Sequence, residues 1–233
     1  MSFYLRIEKC YGIKSMTRLP VQMTQSLIYI CLVISAVGVA IASALDQTAW
    51  ITARQLYALW ALAFLLASLL IGPLVAVFPK TPLKNYLLAA RRSIGVGAFF
   101  FAVAHVICYL VPILLRNWRD VISPGTWWII GLIFGISALS LMVPLTWTSR
   151  DAAVRTMGAA RWKRLHRLVY VLLPIALLHA VLVGSDFGAH RAPDVHGEPD
   201  VGSLIVFSFL SLGWLMLFFM RHRRTPAPSP ASC

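Results

Sequence analysis

Residues 91–116 read RRSIGVGAFFFAVAHVICYLVPILLR. No charged residue stands between Arg92 and Arg116, and one imidazole, His105, sits inside the run. A helix needs roughly 20 apolar residues to cross the hydrocarbon core of a bilayer, and this run supplies them. A polar, titratable group inside such a span is costly and marks a functional site.

Working outward, apolar runs of similar length recur at roughly 26–45, 57–78, 94–115, 126–147, 168–184 and 202–220. Only 12% of the 233 residues are charged, half the share of about 25% in a soluble domain. The predicted fold is an all-α membrane protein, a bundle of six transmembrane helices. No repeat or second domain is visible. Residues 1–25 read as a cytoplasmic N-terminal segment, 26–220 as the membrane domain, and 221–233 (RHRRTPAPSPASC) as a disordered cytoplasmic tail.

The net charge of +13 would point to nucleic acid in a soluble protein. Here it follows the positive-inside rule instead. Arg6, Lys9, Lys14 and Arg18 precede the first run, and Lys80, Lys84, Arg91 and Arg92 fill the second loop. Arg150, Arg155, Arg161, Lys163, Arg164 and Arg167 fill the fourth, and Arg221, Arg223 and Arg224 follow the last run. Only Arg54, Arg116, Arg119 and Arg191 fall on the other side, so both termini are predicted to be cytoplasmic. Ala42-Ser43-Ala44 resembles a leader cleavage site. The run before it is longer than a signal-peptide core of about 7–15 residues, so it reads as an uncleaved anchor. Cys10, Cys31, Cys108 and Cys233 show no paired or metal-binding spacing.

Three histidines carry the chemistry: His105, His166 and His179. With the orientation above, spans three and five run the same way. His105 lies thirteen residues beyond Arg92 and His179 twelve beyond Arg167. At 1.5 Å per residue both are about 18–20 Å from the cytoplasmic boundary. Two level histidines on different helices suit a flat cofactor between them. A bis-imidazole b-type haem fits, and no C-x-x-C-H covalent attachment motif is present. A zinc site has less support, because there is no H-E-x-x-H and no acids or cysteines converge.

His166 is placed at the inner mouth of span five, level with Arg91 and Arg92, whose guanidiniums suit carboxylates such as haem propionates. It lies thirteen residues from His179, about 220° around an ideal helix. Pro174 stands between them and allows a kink.

Two stretches resemble a known family. RRSIGVGAFFFAVAHVICYL (91–110) is similar to an Arg-Arg-x-Leu-Gly-Leu…His…Tyr-Leu signature. TSRDAAVRTMGAARWKRLHRLVYVLLPIALLHA (148–180) is similar to a second, with Thr-Ser, Arg-x-x-Gly, Trp, Leu-His-Arg-Leu-Val-Tyr and a histidine thirteen residues on. These resemble the ferric-reductase-like transmembrane domain family, and within it the MsrQ (YedZ) branch of haem-binding subunits. The likeness covers roughly residues 57–180.

The resemblance implies an electron-transfer subunit of the bacterial inner membrane that binds haem b, one or two, through residues matching His105, His166 and His179. Arg91, Arg92 and Arg164 join the cofactor-binding set, and FMN and quinone are further candidates. It implies electrons from a cytoplasmic flavin reductase or quinol, passed to a periplasmic molybdenum-cofactor methionine sulfoxide reductase. The sequence departs from the branch at SPGTWWIIG (123–131) and at GSDFGAHRAPDVHGEPD (184–200), which leaves the acceptor open. A ferric-reductase-like cytochrome with another acceptor, or a haem-free multipass structural or transport protein, are the alternatives.

Among smaller signals, Gly131 and Gly135 form a G-x-x-x-G that favours close helix packing. Trp118, Trp127 and Trp128 read as interfacial belt residues. His190, Asp194 and His196 sit in a Pro/Gly-rich loop that reads as solvated.

Overall fold

Long apolar segments fold as helices in lipid because every backbone N–H and C=O must be bonded within the chain. The computed structural model describes residues 49–116, 126–183 and 201–223, with individual helical positions between 23 and 41. The elements are α1 (Ala49–Val77), α2 (Lys84–Arg116), α3 (Thr126–Trp147), α4 (Asp151–Met157), α5 (Ala159–His166), α6 (Val169–Val183) and α7 (Val201–Arg223).

The fold is all-α, but the expectation of six spans needs correction. Four helical stretches among the described residues are long and apolar enough to cross a membrane: Ala53–Val77, Tyr86–Val111, Trp128–Trp147 and Ala159–Val183. In α7 the apolar stretch so described is only Ser211–Met220, about 15 Å of helix against a core of about 30 Å. The first expected span is described only at separate helical positions and gives no continuous stretch to count as a span; both termini lie outside the described residues, so the sidedness expected for them does not carry forward. The tail expected from 221 is helical as far as Arg223. The loops at 117–125 and 184–200, with Trp118, His190, Asp194 and His196, also lie outside the described residues.

Local chemistry sets the boundaries. Pro79 and Pro82 follow α1, and a proline disfavours helical geometry in the residue before it. Thr81 closes this turn, its hydroxyl donating to the Phe78 carbonyl at 2.9 Å. Gly158 joins α4 to α5 with φ +79°, a conformation that favours glycine. Between α5 and α6 the chain tightens at Arg167–Leu168, and Pro174 lies inside α6. Leu168 N donates to Leu165 O at 3.0 Å, Tyr170 N to Arg167 O at 3.1 Å and Val171 N to Leu168 O at 3.0 Å. These i to i−3 bonds are 3-10 geometry.

The helices pack as two pairs. α1 lies against α2, and α3 against α6, while the two pairs meet at few points; α7 covers α1. Leu62, Leu65, Leu66 and Leu69 of α1 form the core with Ala98, Ala138, Met142, Leu145, Leu172 and Leu173. This core joins the pairs at one level and leaves a gap beside it. Outer faces expose Trp60, Phe100, Ile107 and Ile133, which suits hydrocarbon rather than water.

Candidate functional site

The gap between the two pairs is a cavity of about 460 Å³, a usual size for a small-molecule or cofactor site of roughly 300–1,000 Å³. Four helices line it: α1, α2, α3 and α6. Space exists because facing side chains are small: Ala58, Ala61, Ala102, Gly135, Ala138 and Ala176. Leu62, Leu65 and Met142 belong both to the lining and to the core. Arg54, Gln55, Tyr109 and Trp128 supply polar atoms.

His105 and His179 both line this cavity. Their ring centroids are 6.1 Å apart and the rings are inclined at 77°. His105 Nδ1 lies 2.9 Å from the Arg54 carbonyl, and His179 Nδ1 lies 2.8 Å from the Gly131 carbonyl. A carbonyl oxygen only accepts, so each Nδ1 carries the proton and each Nε2 keeps its lone pair. Such an outer bond orients an imidazole for a metal and makes it a better ligand. A metal shared by two opposed imidazoles puts their centroids roughly 6 Å apart, from two bonds of about 2 Å and the ring radii.

The G-x-x-x-G has a specific task here. A Cβ at Gly135 would lie 2.7 Å from His179 Cε1 and Nδ1, and one at Gly131 would lie 2.2 Å from Val183 Cγ2. Two glycines on α3 therefore let α6 approach closely enough for the ring to rest on the helix and bond its backbone.

His166 is elsewhere, about 20 Å along the helix from His179 by residue count. Trp162 Nε1 donates to the Thr148 carbonyl at 2.9 Å, and the Trp162 ring stacks on His166 at 4.1 Å. The Thr148 hydroxyl donates its proton to the Pro144 carbonyl at 2.7 Å. Its oxygen must then accept from His166 Nε2 at 3.1 Å. His166 thus has the opposite tautomer, with Nδ1 as its lone-pair atom. Arg92 pairs with Asp151. Arg91 lies against Gly72, where a Cβ would sit 3.3 Å from its guanidinium, and Arg164 is exposed on α5. The structure does not bring His166, Arg91, Arg92 or Arg164 to the cavity of His105 and His179.

Sequence reasoning missed Arg54, Tyr109, Gly135 and Trp128 as neighbours of the site. Arg54 carried a signal: it is one of four basic residues on the sparsely charged side. Trp128 reads as a belt residue but lines the cavity, and Trp127's side chain lies outside the described set. Among the described residues no group of three or more His, Cys, Asp or Glu converges on one point.

The model for the ferric reductase like transmembrane component matches residues 52–177. The chain is 34% identical over 151 residues to magnetosome protein MamZ of Magnetospirillum gryphiswaldense, covering 65% of this chain and 21% of that protein. It is 32% identical to the protein-methionine-sulfoxide reductase heme-binding subunit MsrQ of Caulobacter vibrioides, covering 63% and 66%. For MsrQ of Rhodospirillum rubrum the identity is 36%, covering 53% and 57%. The chain thus spans about a fifth of the MamZ proteins and between half and two thirds of the MsrQ proteins. The likeness to the MsrQ proteins is at family level and is consistent with an electron-transfer role. The matched residues include most of the four helices that line the cavity, and the chain is a multipass inner-membrane protein that belongs to the family of ferric reductase like transmembrane components.

Proposed function

We propose that this chain is a b-type haem subunit that carries electrons across the inner membrane, from a cytoplasmic flavin reductase or quinol to a periplasmic methionine sulfoxide reductase. One observation carries the reading. Two imidazoles on separate helix pairs face one apolar cavity, each with Nδ1 bonded to a main-chain carbonyl and Nε2 left as the lone-pair atom.

The residues present fit a haem. The donor set is two neutral imidazoles in apolar surroundings, and the small side chains leave room for a flat ring. His105 and His179 would hold it. Haem iron supplies a one-electron relay whose potential follows its axial ligands, hydrogen bonding and burial. The Arg54 and Gly131 carbonyls would hold the imidazoles in one orientation. Leu62, Leu65 and Met142 would keep water from one side.

His166 belongs to this reading as a group on the electron path at the other end of the span, beside Arg91 and Arg92. Its Nε2 is engaged by Thr148, so Nδ1 is the atom it offers to a donor. The acceptor rests on the likeness to MsrQ proteins. The likeness to proteins named MamZ, of which the match covers about a fifth, supports a second reading: the same haem domain serving a different acceptor.

The test is optical. Purified protein should show the Soret and α-bands of low-spin haem b, reducible by a flavin reductase or quinol. A colourless protein from haem-replete cells would overturn the reading in favour of a haem-free membrane protein.

A further inference from the structure

The segment between α3 and α6 carries Arg150, Arg155, Arg161, Lys163, Arg164 and Arg167, and all six are exposed. Its one acid, Asp151, is paired with Arg92 of α2. Among the described residues, therefore, none of these six cations meets a carboxylate. Orientation in the membrane explains a charged loop, but it asks for no particular shape. This loop has one. It folds as the α4–α5 hairpin, turned at Gly158 with φ +79°. No residue of either helix is buried, and the two pack mainly on each other. Three contacts tie the hairpin down: Asp151 to Arg92, Trp162 Nε1 to the Thr148 carbonyl at 2.9 Å, and His166 Nε2 to the Thr148 hydroxyl at 3.1 Å.

The charge is one-sided. At about 100° per residue, Trp162 and His166 share one face of α5. Arg161, Lys163, Arg164 and Arg167 occupy the rest, with Arg164 opposite the stacked pair. A helix that lies in the surface of a bilayer sets a row of Trp, Phe or Leu against its cations. α5 has only Trp162 and Leu165 of that kind, and Trp162 is turned in to Thr148 and His166. The cations thus face water. A cluster of one sign draws carboxylates from a distance and speeds encounter by about 10- to 1,000-fold.

We infer that the α4–α5 hairpin docks a soluble, acidic one-electron donor protein, whose carboxylates seat on Arg161, Lys163, Arg164 and Arg167. The inference rests on the electron-transfer reading above and selects a protein over a quinol as the donor at this end. Docking there brings the donor's redox group within the width of one helix, about 10 Å, of the stacked Trp162 and His166 rings. The donor is oxidised by one electron and the haem iron is reduced by one; no bond or proton changes on this chain. Electron-transfer encounters bury little area, below about 1,200 Å², and an exposed cluster of cations suits so brief a contact.

The probe is flavodoxin, an acidic flavoprotein, against the purified full-length protein in detergent. Reduced flavodoxin is mixed with the oxidised protein, and reduction is followed at the haem α-band. The second-order rate should fall about tenfold or more between about 20 and 500 mM NaCl, as screening removes the attraction. The triple variant Arg161→Gln/Lys163→Gln/Arg167→Gln should react about tenfold more slowly at low salt and show little salt dependence. Duroquinol, which is neutral, should reduce both alike; equal slowing with duroquinol places the defect elsewhere and overturns the proposal. Equal rates and equal salt dependence with flavodoxin in wild type and variant overturn it too. So does a variant that keeps the wild-type rate but loses retention of anionic phospholipid, because the hairpin then reads lipid headgroups. If the triple variant does not fold, Arg161→Gln and Lys163→Gln are each read in its place. Binding of flavodoxin by calorimetry needs no haem: salt-sensitive binding by a colourless protein overturns the haem reading and leaves the docking surface standing.

Discussion

His179 Nδ1 donates to the Gly131 carbonyl at 2.8 Å across the α3–α6 contact. That carbonyl lies near the start of α3, and the bond holds the ring between two helices. His105 makes the matching bond to Arg54 across the α1–α2 contact at 2.9 Å. Each helix pair thus presents one imidazole, oriented by its own partner helix, to the cavity between the pairs.

Removal of either imidazole breaks a two-ligand site. His105→Ala and His179→Ala should each lose the low-spin haem b spectrum in purified protein. Full retention of the wild-type bands in both variants would refute the assignment of these residues.

Gly135→Ala should act almost as strongly without changing a ligand. Its new Cβ would lie 2.7 Å from two atoms of the His179 ring, so the ring must move. Overpacking of this kind costs about 1–3 kcal/mol. Haem content should fall severalfold. Gly95→Ala, where the nearest atoms lie at 3.9 Å, is the control and should leave haem content and thermal midpoint near wild type.

Filling the cavity is an independent test. Ala102 lines it from α2, and Ala102→Phe should exclude a flat cofactor while His105 and His179 remain. A haem-free but folded protein, judged by size-exclusion profile and helical circular dichroism, is the expected result. Normal haem content would show that the cofactor lies elsewhere.

At the other end of the span, His166→Ala should leave the His105–His179 spectrum in place and slow reduction by the electron donor, or remove a second haem. Unchanged haem content with wild-type turnover would refute any role for His166. Thr148→Val removes the acceptor of the His166 N–H and should reproduce part of the effect.

The Arg92–Asp151 pair is exposed on the Asp151 side, at 70% of its side-chain surface. Exposed pairs contribute about 0–1 kcal/mol. Asp151→Asn should therefore shift thermal stability by less than about 1 kcal/mol and leave haem content unchanged. A large loss of haem would place this pair in the cofactor site.

Composition and run length alone determined that this chain is helical and lives in a membrane, because hydrocarbon admits few charges and no unbonded backbone. Residue counting along the runs put His105 and His179 level with each other and His166 about 20 Å along the helix, because helical rise is constant. The Gly131–Gly135 spacing was legible as a close-packing face. Run length overstated the spans: the first is described only at separate helical positions, and α7 shows only a short apolar stretch among the described residues. Sequence could not fix rotation about each helix axis or the choice of neighbour. Those follow from how side chains interlock between helices. Tertiary structure therefore decided that α1–α2 and α3–α6 pair and leave a cavity, and that Arg54 and Trp128 edge it. It also decided that His166 is bonded to Thr148 and stacked on Trp162. The tautomers of all three histidines are tertiary facts as well, because each is set by an oxygen atom distant in sequence: the Arg54 and Gly131 carbonyls and the Thr148 hydroxyl.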